Sequence, residues 1–420
     1  MSTIRKPINI YLLMTGGNHW VGGVQYTRNL IQAMDLLPKD EKPSVVLSLG
    51  KKNLNFGYEQ EFGAYDFVRL EESAPWISIV SSGVRKVFGE SVSKRFISLA
   101  DRLTCTARKC TVAYPVKGLP LAMNIESVLW IPDFQYKCLP EYFSEEERKQ
   151  RDLSYSKMLD NDSILVLSSE SVRTDFERFF PEHRNKKVRI LRFISVMNKD
   201  DYLSDPDEVC ARYNLPDKFI YLPNQFFMHK RHDLVFLALA KLKRNGVKIN
   251  LVCTGNSQDY RSQDYYTSLI NLLHDNQLAD QVSLLGLIPR ADQIQIFRKA
   301  AFTLQPSIFE GWSTTVEDGI ALGKEILLSD IATHKEQKPE YGHFFKAGCI
   351  DSLVDSINQL WNVARPGPDL ERERLARIEN RNRGLEFART FLYIMSEADA
   401  KHCKSSICDK HELENYSDII

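Results

Sequence analysis

The segment Ser307-Ile-Phe-Glu310-Gly-Trp-Ser-Thr-Thr315-Val-Glu-Asp318-Gly-Ile-Ala-Leu-Gly323 is the most informative part of this sequence. Apolar runs near 302–304 and 325–328 flank it, so the pattern predicts a strand, a loop, a helix and a second strand. Glu310 then lies in a loop beyond the carboxyl end of a strand, where open parallel sheets bind their ligands. Gly311 lets the backbone come close to such a ligand.

The start of the predicted helix suits an anion. Ser313, Thr314 and Thr315 offer hydroxyl groups and free backbone N–H groups there, as diphosphate sites do. Asp318, one turn further on, is placed to accept hydrogen bonds from ribose hydroxyls. The sequence leaves an alternative open, in which Ser313 only caps the helix, with Glu317 and Asp318 as favourable charges in its first turn.

Outside this segment, short β-branched runs alternate with helical patterns, which predicts an α/β fold of two Rossmann-like units in tandem. The predicted strands lie at Ile8–Met14, Ser44–Ser48, Thr111–Tyr114, Val128–Ile131, Ile164–Leu167 and Val188–Leu191, then at 219–222, 249–253, 282–285, 302–304 and 325–328. The predicted helices lie at 24–36, 85–102, 144–159, 170–179, 234–242, 265–273, 294–300, 350–363 and 370–394. The polar stretch Asn198–Pro216 carries no strand pattern, so we place the domain boundary there.

Length and composition set limits on the function. A chain of 420 residues exceeds what one hydrophobic core usually organises, which predicts two domains. Because its 55 basic and 55 acidic residues cancel, no global field draws it onto nucleic acid. The eight cysteines form no Cys-x-x-Cys pair, and the start shows no secretory signal pattern. We therefore expect a cytoplasmic protein in a reducing compartment, and a peripheral contact with the inner face of the membrane stays open.

A second segment, Tyr221-Leu-Pro-Asn224-Gln225-Phe-Phe-Met-His-Lys230-Arg-His232, follows the first strand of the second unit. A leaving diphosphate gains negative charge, and fixed cations at this strand end lower the barrier to its departure. Lys230 is the candidate cation. The alternative is a solvated helix start, and His229-x-x-His232 by itself does not predict a zinc site.

Two segments of the first unit also follow strands. Gly22 and Gly23 precede the predicted helix at 24–36, where glycine allows close approach to a ligand and free N–H groups point towards it. Asp133 and Gln135 lie in the aromatic segment Trp130–Phe143 and can bind acceptor hydroxyls. An ordinary packed loop explains the second of these segments equally well.

The segment from Glu310 to Gly323 resembles the signature of the family 4 retaining glycosyltransferases, glycosyl transferases group 1, of bacterial type. In that family Glu-Gly-Phe-Gly-Leu-Pro precedes a second acidic residue after seven intervening positions, and Glu310 and Asp318 occupy the two places. This sequence departs from the pattern at 312–315, where Trp-Ser-Thr-Thr stands, and at Asp318, where glutamate is typical. Gln225 also stands at the place of the family's arginine, five positions before Lys230.

The resemblance implies a GT-B fold, in which two Rossmann-like domains face each other across a deep cleft. We expect an acceptor-side domain at 1–200, a nucleotide-sugar-binding domain at 201–385, and a C-terminal helix and tail at 386–420 that cross back to the first domain. The implied catalytic residues are Lys230 and Glu310. The implied donor-binding residues are Gly22, Gly23, Asn224, Gln225, Gly255, Ser313, Thr314, Thr315 and Asp318, and the implied acceptor-binding residues are Asp133 and Gln135.

The activity that the resemblance implies is retaining, metal-independent transfer of a hexose-type sugar from a UDP- or GDP-linked donor. The acceptor would be a saccharide or a lipid-linked molecule, in the synthesis of surface polysaccharide or another glycoconjugate, and no cofactor is expected. Two alternatives stay open: a nucleotide-sugar epimerase on the same fold, and a non-catalytic nucleotide-sugar-binding protein. A nicotinamide-dependent dehydrogenase is disfavoured, because no Gly-x-Gly-x-x-Gly follows the first strand of either unit.

Overall fold

The computed structural model describes residues 8–17, 21–49, 57–71, 110–117, 125–262 and 264–416. They form two parallel sheets, each flanked by helices, which confirms the predicted fold class. The first sheet has seven strands in the order β3-β2-β1-β4-β5-β6-β7, and the second has six in the order β10-β9-β8-β11-β12-β13. In both sheets the strand order reverses beside the first strand, which is where such folds bind ligands.

The strands and helices follow one another along the chain. The strands are β1 Asn9–Leu13, β2 Ser44–Ser48, β3 Val68–Glu71, β4 Val112–Val116, β5 Glu126–Ile131, β6 Leu165–Leu167, β7 Val188–Ile190, β8 Ile220–Pro223, β9 Leu251–Thr254, β10 Val282–Leu284, β11 Phe302–Gln305, β12 Ile326–Ser329 and β13 Gly342–Phe345. The α-helices are α1 Val21–Asp35, α2 Tyr58–Gly63, α3 Gln135–Cys138, α4 Glu145–Leu159, α5 Glu170–Phe179, α6 Lys199–Leu203, α7 Pro206–Arg212, α8 His232–Arg244, α9 Tyr265–Asp275, α10 Arg290–Lys299, α11 Thr314–Ala321, α12 Ala332–Gln337, α13 Ile350–Val363 and α14 Leu370–Tyr416.

The central strands are buried on both faces because helices cover each side of the sheet. Every residue of β11 and β12 is buried, for example, and β11 pairs with both β8 and β12. This arrangement places the carboxyl ends of β8 and β11 side by side. The loops that follow these two strands contain Lys230 and Glu310, so the sheet brings the two predicted catalytic residues together.

Several elements differ from the prediction. The polar stretch at 198–216 contains two helices, α6 and α7, and α7 packs against α10 of the second unit. Helix α1 begins at Val21, so Gly22 and Gly23 lie in its first turn instead of preceding it. The helix predicted at 85–102 lies outside the described residues.

The long helix α14 contacts both units. Near its start Glu373 accepts two hydrogen bonds from Arg298 of α10, and further along Asn380 donates to the carbonyl of Ser195. Phe387 and Phe391 then pack into the core of the first sheet. The helix therefore starts on the second unit and reaches the first. Within the described residues, no helix is both long enough and apolar enough to cross a membrane.

Candidate functional site

Five polar side chains form one hydrogen-bonded network at the carboxyl ends of β8 and β11. Lys230 donates to Glu310 Oε1 across 2.5 Å. Gln305, the last residue of β11, donates to the same Glu310 oxygen across 2.9 Å and to Ser313 Oγ across 3.1 Å. Asn224 in turn donates to Gln305 Oε1 across 2.5 Å. Sequence reasoning missed Gln305, whose signal was a polar residue at the end of an apolar strand.

The network holds a cation and an anion with little access to water. The side chain of Lys230 is 16% exposed and that of Glu310 is 9% exposed. Desolvated charges of this kind are stable only when they are paired, and here each is the partner of the other. An anionic ligand that contacts Lys230 would therefore compete with Glu310 for its ammonium group.

Helix α11 starts next to this pair. Ser313 is its N-cap, and Ser313 Oγ accepts a hydrogen bond from the backbone N–H of Val316. Thr314 is the first residue of the helix, and Thr315 donates to the carbonyl of Pro223 across 3.3 Å. The cap considered as an alternative is therefore present, and it lies within bonding distance of the network that contains Lys230.

The two acidic residues of the first turns of α11 have different partners. Both oxygens of Asp318 accept hydrogen bonds from Arg290, across 2.7 and 2.5 Å. Glu317 is fully buried and accepts from Arg383 of α14 and from Gln337. Glu317 thus faces the long helix, and Asp318 faces the start of α10. Sequence reasoning missed Arg290, because no local pattern links it to a residue 28 positions away.

Gln225 brings no full charge to the place of the family's arginine, and the neighbouring His229 and Arg231 are not available to supply one. Burial, with a smaller contribution from Lys230, lowers the pKa of His229 well below its ordinary value, so the imidazole is uncharged at neutral pH. Arg231 is paired with both oxygens of Asp233. Gln225 is partly buried, and its backbone carbonyl accepts a hydrogen bond from the backbone N–H of Phe227.

Another arginine, Arg261 in the loop after β9, lies between the two units. Its guanidinium donates to both oxygens of Asp259 and, across 2.7 Å, to Gln135 of the first unit. It also lies over the rings of Phe143 and Phe227, one from each unit. Gln135, predicted to bind an acceptor, is therefore engaged in a contact between the units.

The loop 310–313 is itself in contact with the first unit. A Cβ atom on Gly311 would lie 2.4 Å from the carbonyl oxygen of Pro132 and 2.8 Å from Asp133 Cβ, so only glycine fits there. Ser169 donates to the carbonyl of Gly311 across 2.9 Å, and the Trp312 indole donates to the carbonyl of Phe193. These contacts bring the carboxyl ends of both sheets together at this loop.

Asp133 therefore lies beside Glu310 and its loop. Desolvation raises the pKa of Asp133, a hydrogen bond from Gln135 N opposes that shift, and the charge of Glu310 adds to it.

Gly255 packs against the loop after β8, where a Cβ atom would lie 2.2 Å from the carbonyl oxygen of Asn224. Gly23 lies in the first turn of α1, and its backbone carbonyl accepts a hydrogen bond from the hydroxyl of Thr15. Across the described residues, no group of three or more His, Cys, Asp or Glu side chains is arranged to hold a metal ion.

Comparison with known proteins gives this site a family context. Residues 211–379 match the family model described as glycosyl transferases group 1, which covers the second unit. No curated protein matches the sequence. The resemblance noted from the motif around Glu310 is confirmed at the level of this family.

Solved structures share the fold over nearly the whole chain. Sucrose-phosphate synthase from Thermosynechococcus elongatus is 16% identical with a TM-score of 0.64, and the alignment covers 96% of this chain and 100% of that one. A glycosyltransferase from Rickettsia africae has the same identity and TM-score over 94% and 99% of the two chains. HepE from Anabaena, solved with UDP and glucose, is 13% identical with a TM-score of 0.61 over 93% and 100%. The chain therefore has the GT-B fold.

Proposed function

We propose that this chain is a glycosyltransferase that moves a sugar from a nucleoside-diphosphate sugar to a hydroxyl acceptor. The observation that carries the proposal is the network of Lys230, Glu310, Gln305 and Ser313 at the start of α11. It combines a desolvated cation, a carboxylate and a helix N-terminus in a domain that matches the glycosyl transferases group 1. Diphosphate recognition needs the cation and the N-terminus, and sugar recognition needs the carboxylate.

In this proposal the diphosphate lies against the N-terminus of α11. Lys230 then exchanges its bond with Glu310 for one with a phosphate oxygen and stabilises the charge that develops as the sugar leaves. Glu310, released from Lys230 but still bonded to Gln305, accepts hydrogen bonds from hydroxyls of the donor sugar. Asp318, held in place by Arg290, accepts from the ribose hydroxyls.

The first domain supplies the acceptor side. Asp133 and Gln135 bind the acceptor hydroxyls, and Gly22 and Gly23 approach the donor from the start of α1. The contact of Gly311 with Pro132 and Asp133 supports this division, because Asp133 lies next to the loop that contains Glu310. When the two domains meet, water is expelled, which protects the activated sugar from hydrolysis.

The finer features belong to the same proposal. The donor is a UDP- or GDP-linked hexose, and the binding of UDP and glucose by HepE favours UDP as the first nucleotide to test. The anomeric configuration is retained, the reaction needs no metal, and the acceptor is a saccharide or a lipid-linked molecule used for surface polysaccharide. We place the protein in the cytoplasm, at or near the inner face of the membrane.

The test begins with the melting temperature of the full chain in the presence of UDP, GDP and their hexose conjugates. A nucleotide that binds only the folded state raises it. The conjugate that gives the largest shift is then used to measure release of the nucleoside diphosphate, with and without saccharide acceptors. Lys230→Ala is expected to lower that rate about 100-fold or more, as the loss of one transition-state donor does elsewhere.

Lys248→Ala is the matched control, because Lys248 is 62% exposed and its side chain bonds Asp280 at the surface. Its rate should equal that of the unchanged chain. Product analysis separates transfer from epimerisation, since only transfer consumes an acceptor. If no nucleotide changes the melting temperature, or if Lys230→Ala keeps full activity, the proposal fails.

A further inference from the structure

We propose that Glu336 is a positioning residue that couples the contact between the domains to the placement of Glu310. The proposal deepens the proposed function, on which it rests, by naming how the second domain senses the first. Glu336 lies on α12, next to the site but outside the network of Lys230 and Glu310. Sequence reasoning missed both Glu336 and the helix that carries it.

The Glu336 carboxylate binds the first domain through three donors. Its two oxygens accept hydrogen bonds from the backbone N–H groups of Glu170 and Ser171, across 2.9 and 3.0 Å. Arg192 of the first domain donates to Oε1 across 2.8 Å. These N–H groups are the free ones at the start of α5, so a residue of the second domain caps a helix of the first. The charge suits the position, because a helix N-terminus attracts anions.

The same short helix holds the loop of the proposed donor site. Thr333 donates to the carbonyl of Glu310 across 2.6 Å. Gln337 bonds both backbone groups of Ser313: it accepts from the N–H across 3.2 Å and donates to the carbonyl across 3.0 Å. Helix α12 thus fixes the loop 310–313 at both ends, and Glu336 lies between the two residues that do so.

The first domain contacts this loop from the other side. Ser169, the N-cap of α5, accepts from Val172 N and donates to the carbonyl of Gly311. The start of α5 therefore touches α12 through Glu336 and the loop through Ser169. When the domains separate, both contacts break together, and water must solvate the N–H groups of Glu170 and Ser171. The Glu336 carboxylate is therefore one of the contacts that link the placement of the loop to the contact of the domains.

Hydrogen exchange on the full-length chain tests the coupling. Glu336→Gln keeps the shape of the side chain but removes its charge and replaces one acceptor oxygen with a donor that faces other donors. We expect faster exchange of the amides at 168–173 in the first domain and at 310–315 in the second. Addition of UDP to the unchanged chain should slow exchange in both segments, whereas in Glu336→Gln it should slow exchange at 310–315 alone.

Glu170→Gln is the matched control. It removes the same charge from the same end of α5, but the Glu170 side chain is 54% exposed and makes no contact shorter than 3.8 Å with Arg173 or Arg192. It should leave exchange at 310–315 unchanged. If the amides at 168–173 and at 310–315 exchange at the same rates in Glu336→Gln as in the unchanged chain, the proposal is overturned, whether or not UDP binds.

Kinetics separate a positioning role from a structural one. With the donor identified by the melting screen, Glu336→Gln should lower kcat about tenfold and raise the dissociation constant of UDP by a smaller factor, because the closed population falls but the nucleotide contacts remain. Equal relative changes in kcat and in the dissociation constant of UDP would contradict a role for Glu336 in coupling the domain contact to the placement of Glu310. A chain that binds no nucleotide would count against the proposed function, and the ligand-free exchange data would still decide the role of Glu336.

Discussion

Gln305 links three side chains of the site, and its own side chain is fully buried. Gln305→Leu keeps the volume but leaves Asn224 without its acceptor, and Glu310 and Ser313 without this donor. We expect the free energy of unfolding to fall by about 1–3 kcal/mol, the cost of leaving a buried polar group unpaired. The donor kcat/KM should fall about tenfold or more, because Glu310 is no longer oriented.

Urea unfolding and steady-state kinetics check this expectation. Gln258→Leu is the control, since Gln258 is exposed in the loop after β9. A Gln305→Leu protein with unchanged kcat/KM would show that Glu310 is oriented without Gln305.

Buried histidines, His229, His232 and His334 among them, make the stability of the second domain depend on pH. Burial lowers the pKa of His334 to about 4 and that of His232 to about 3. Below about pH 6.5 the unfolded chain protonates its histidines while the folded chain keeps these two neutral. The free energy of unfolding therefore falls as the pH drops from about 6.5 towards 4, by about 1.4 kcal/mol per pH unit for each histidine.

His334→Asn tests this dependence while keeping a group that can bond Ser329. Between pH 6 and pH 5 we expect its unfolding free energy to fall about 1.4 kcal/mol less than that of the unchanged chain. His274→Asn is the control, because the His274 side chain is 90% exposed. If the unfolding free energies of His334→Asn and the unchanged chain fall in parallel as the pH drops, a neutral, buried His334 is excluded.

At the scale of elements, the apolar pattern of the sequence predicts the buried strands and helices best. The pattern predicts β2, α5 and α13 with their observed bounds, because β2 is a short apolar run between two serines and the two helices carry apolar residues at helical spacing. Strands β3 and β13 are missed because each has only two apolar residues: β3 reads Val-Arg-Leu-Glu and β13 reads Gly-His-Phe-Phe, and Phe344 of β13 is exposed. Helix α12 is missed because six residues hold little helical preference, and its contacts with Glu310 and Ser313 come from distant parts of the chain.

Helix α14 stabilises the first domain from the far end of the chain. Phe391 is fully buried in the core of the first sheet and packs edge-on against Tyr114. Phe391→Ala should lower the free energy of unfolding by about 3–5 kcal/mol, as other core Phe→Ala substitutions do. Tyr393→Ala, two residues along on the exposed side of the helix, should change it by less than about 0.5 kcal/mol.

Chemical denaturation of both variants is the measurement. A similar small loss for Phe391→Ala and Tyr393→Ala would mean that the helix does not pack on the first sheet in solution.

At the scale of the whole molecule, the rule that ligands bind at the carboxyl ends of parallel strands locates most of the site. It places Lys230, Glu310 and Ser313 after the carboxyl ends of two strands, and the structure, in which these strands are neighbours, joins all three in one network. It does not give the pairing partners, such as Arg290 of Asp318 and Arg192 of Glu336, because these depend on how distant segments pack. Motif spacing thus predicts which residues meet the ligand, and the tertiary structure shows what holds them.

The charges of the molecule also bear on its need for a metal. A leaving diphosphate requires positive charge, and in the proposed site Lys230 and the N-terminus of α11 supply it from fixed positions. We therefore expect a chain treated with EDTA to keep its transfer rate within about twofold, since these groups do not depend on an added ion. Lys230→Ala should lose activity to the same extent with and without Mg²⁺ or Mn²⁺, because the part of the chain that the structure describes holds no group of three or more His, Cys, Asp or Glu side chains that could bind an ion there. Transfer rates measured after EDTA treatment, then after each metal is restored, check both statements.

A loss of more than about tenfold in the transfer rate that Mg²⁺ or Mn²⁺ reverses would show that the diphosphate reaches the site as a metal complex. Lys230 would then assist that complex instead of replacing its charge.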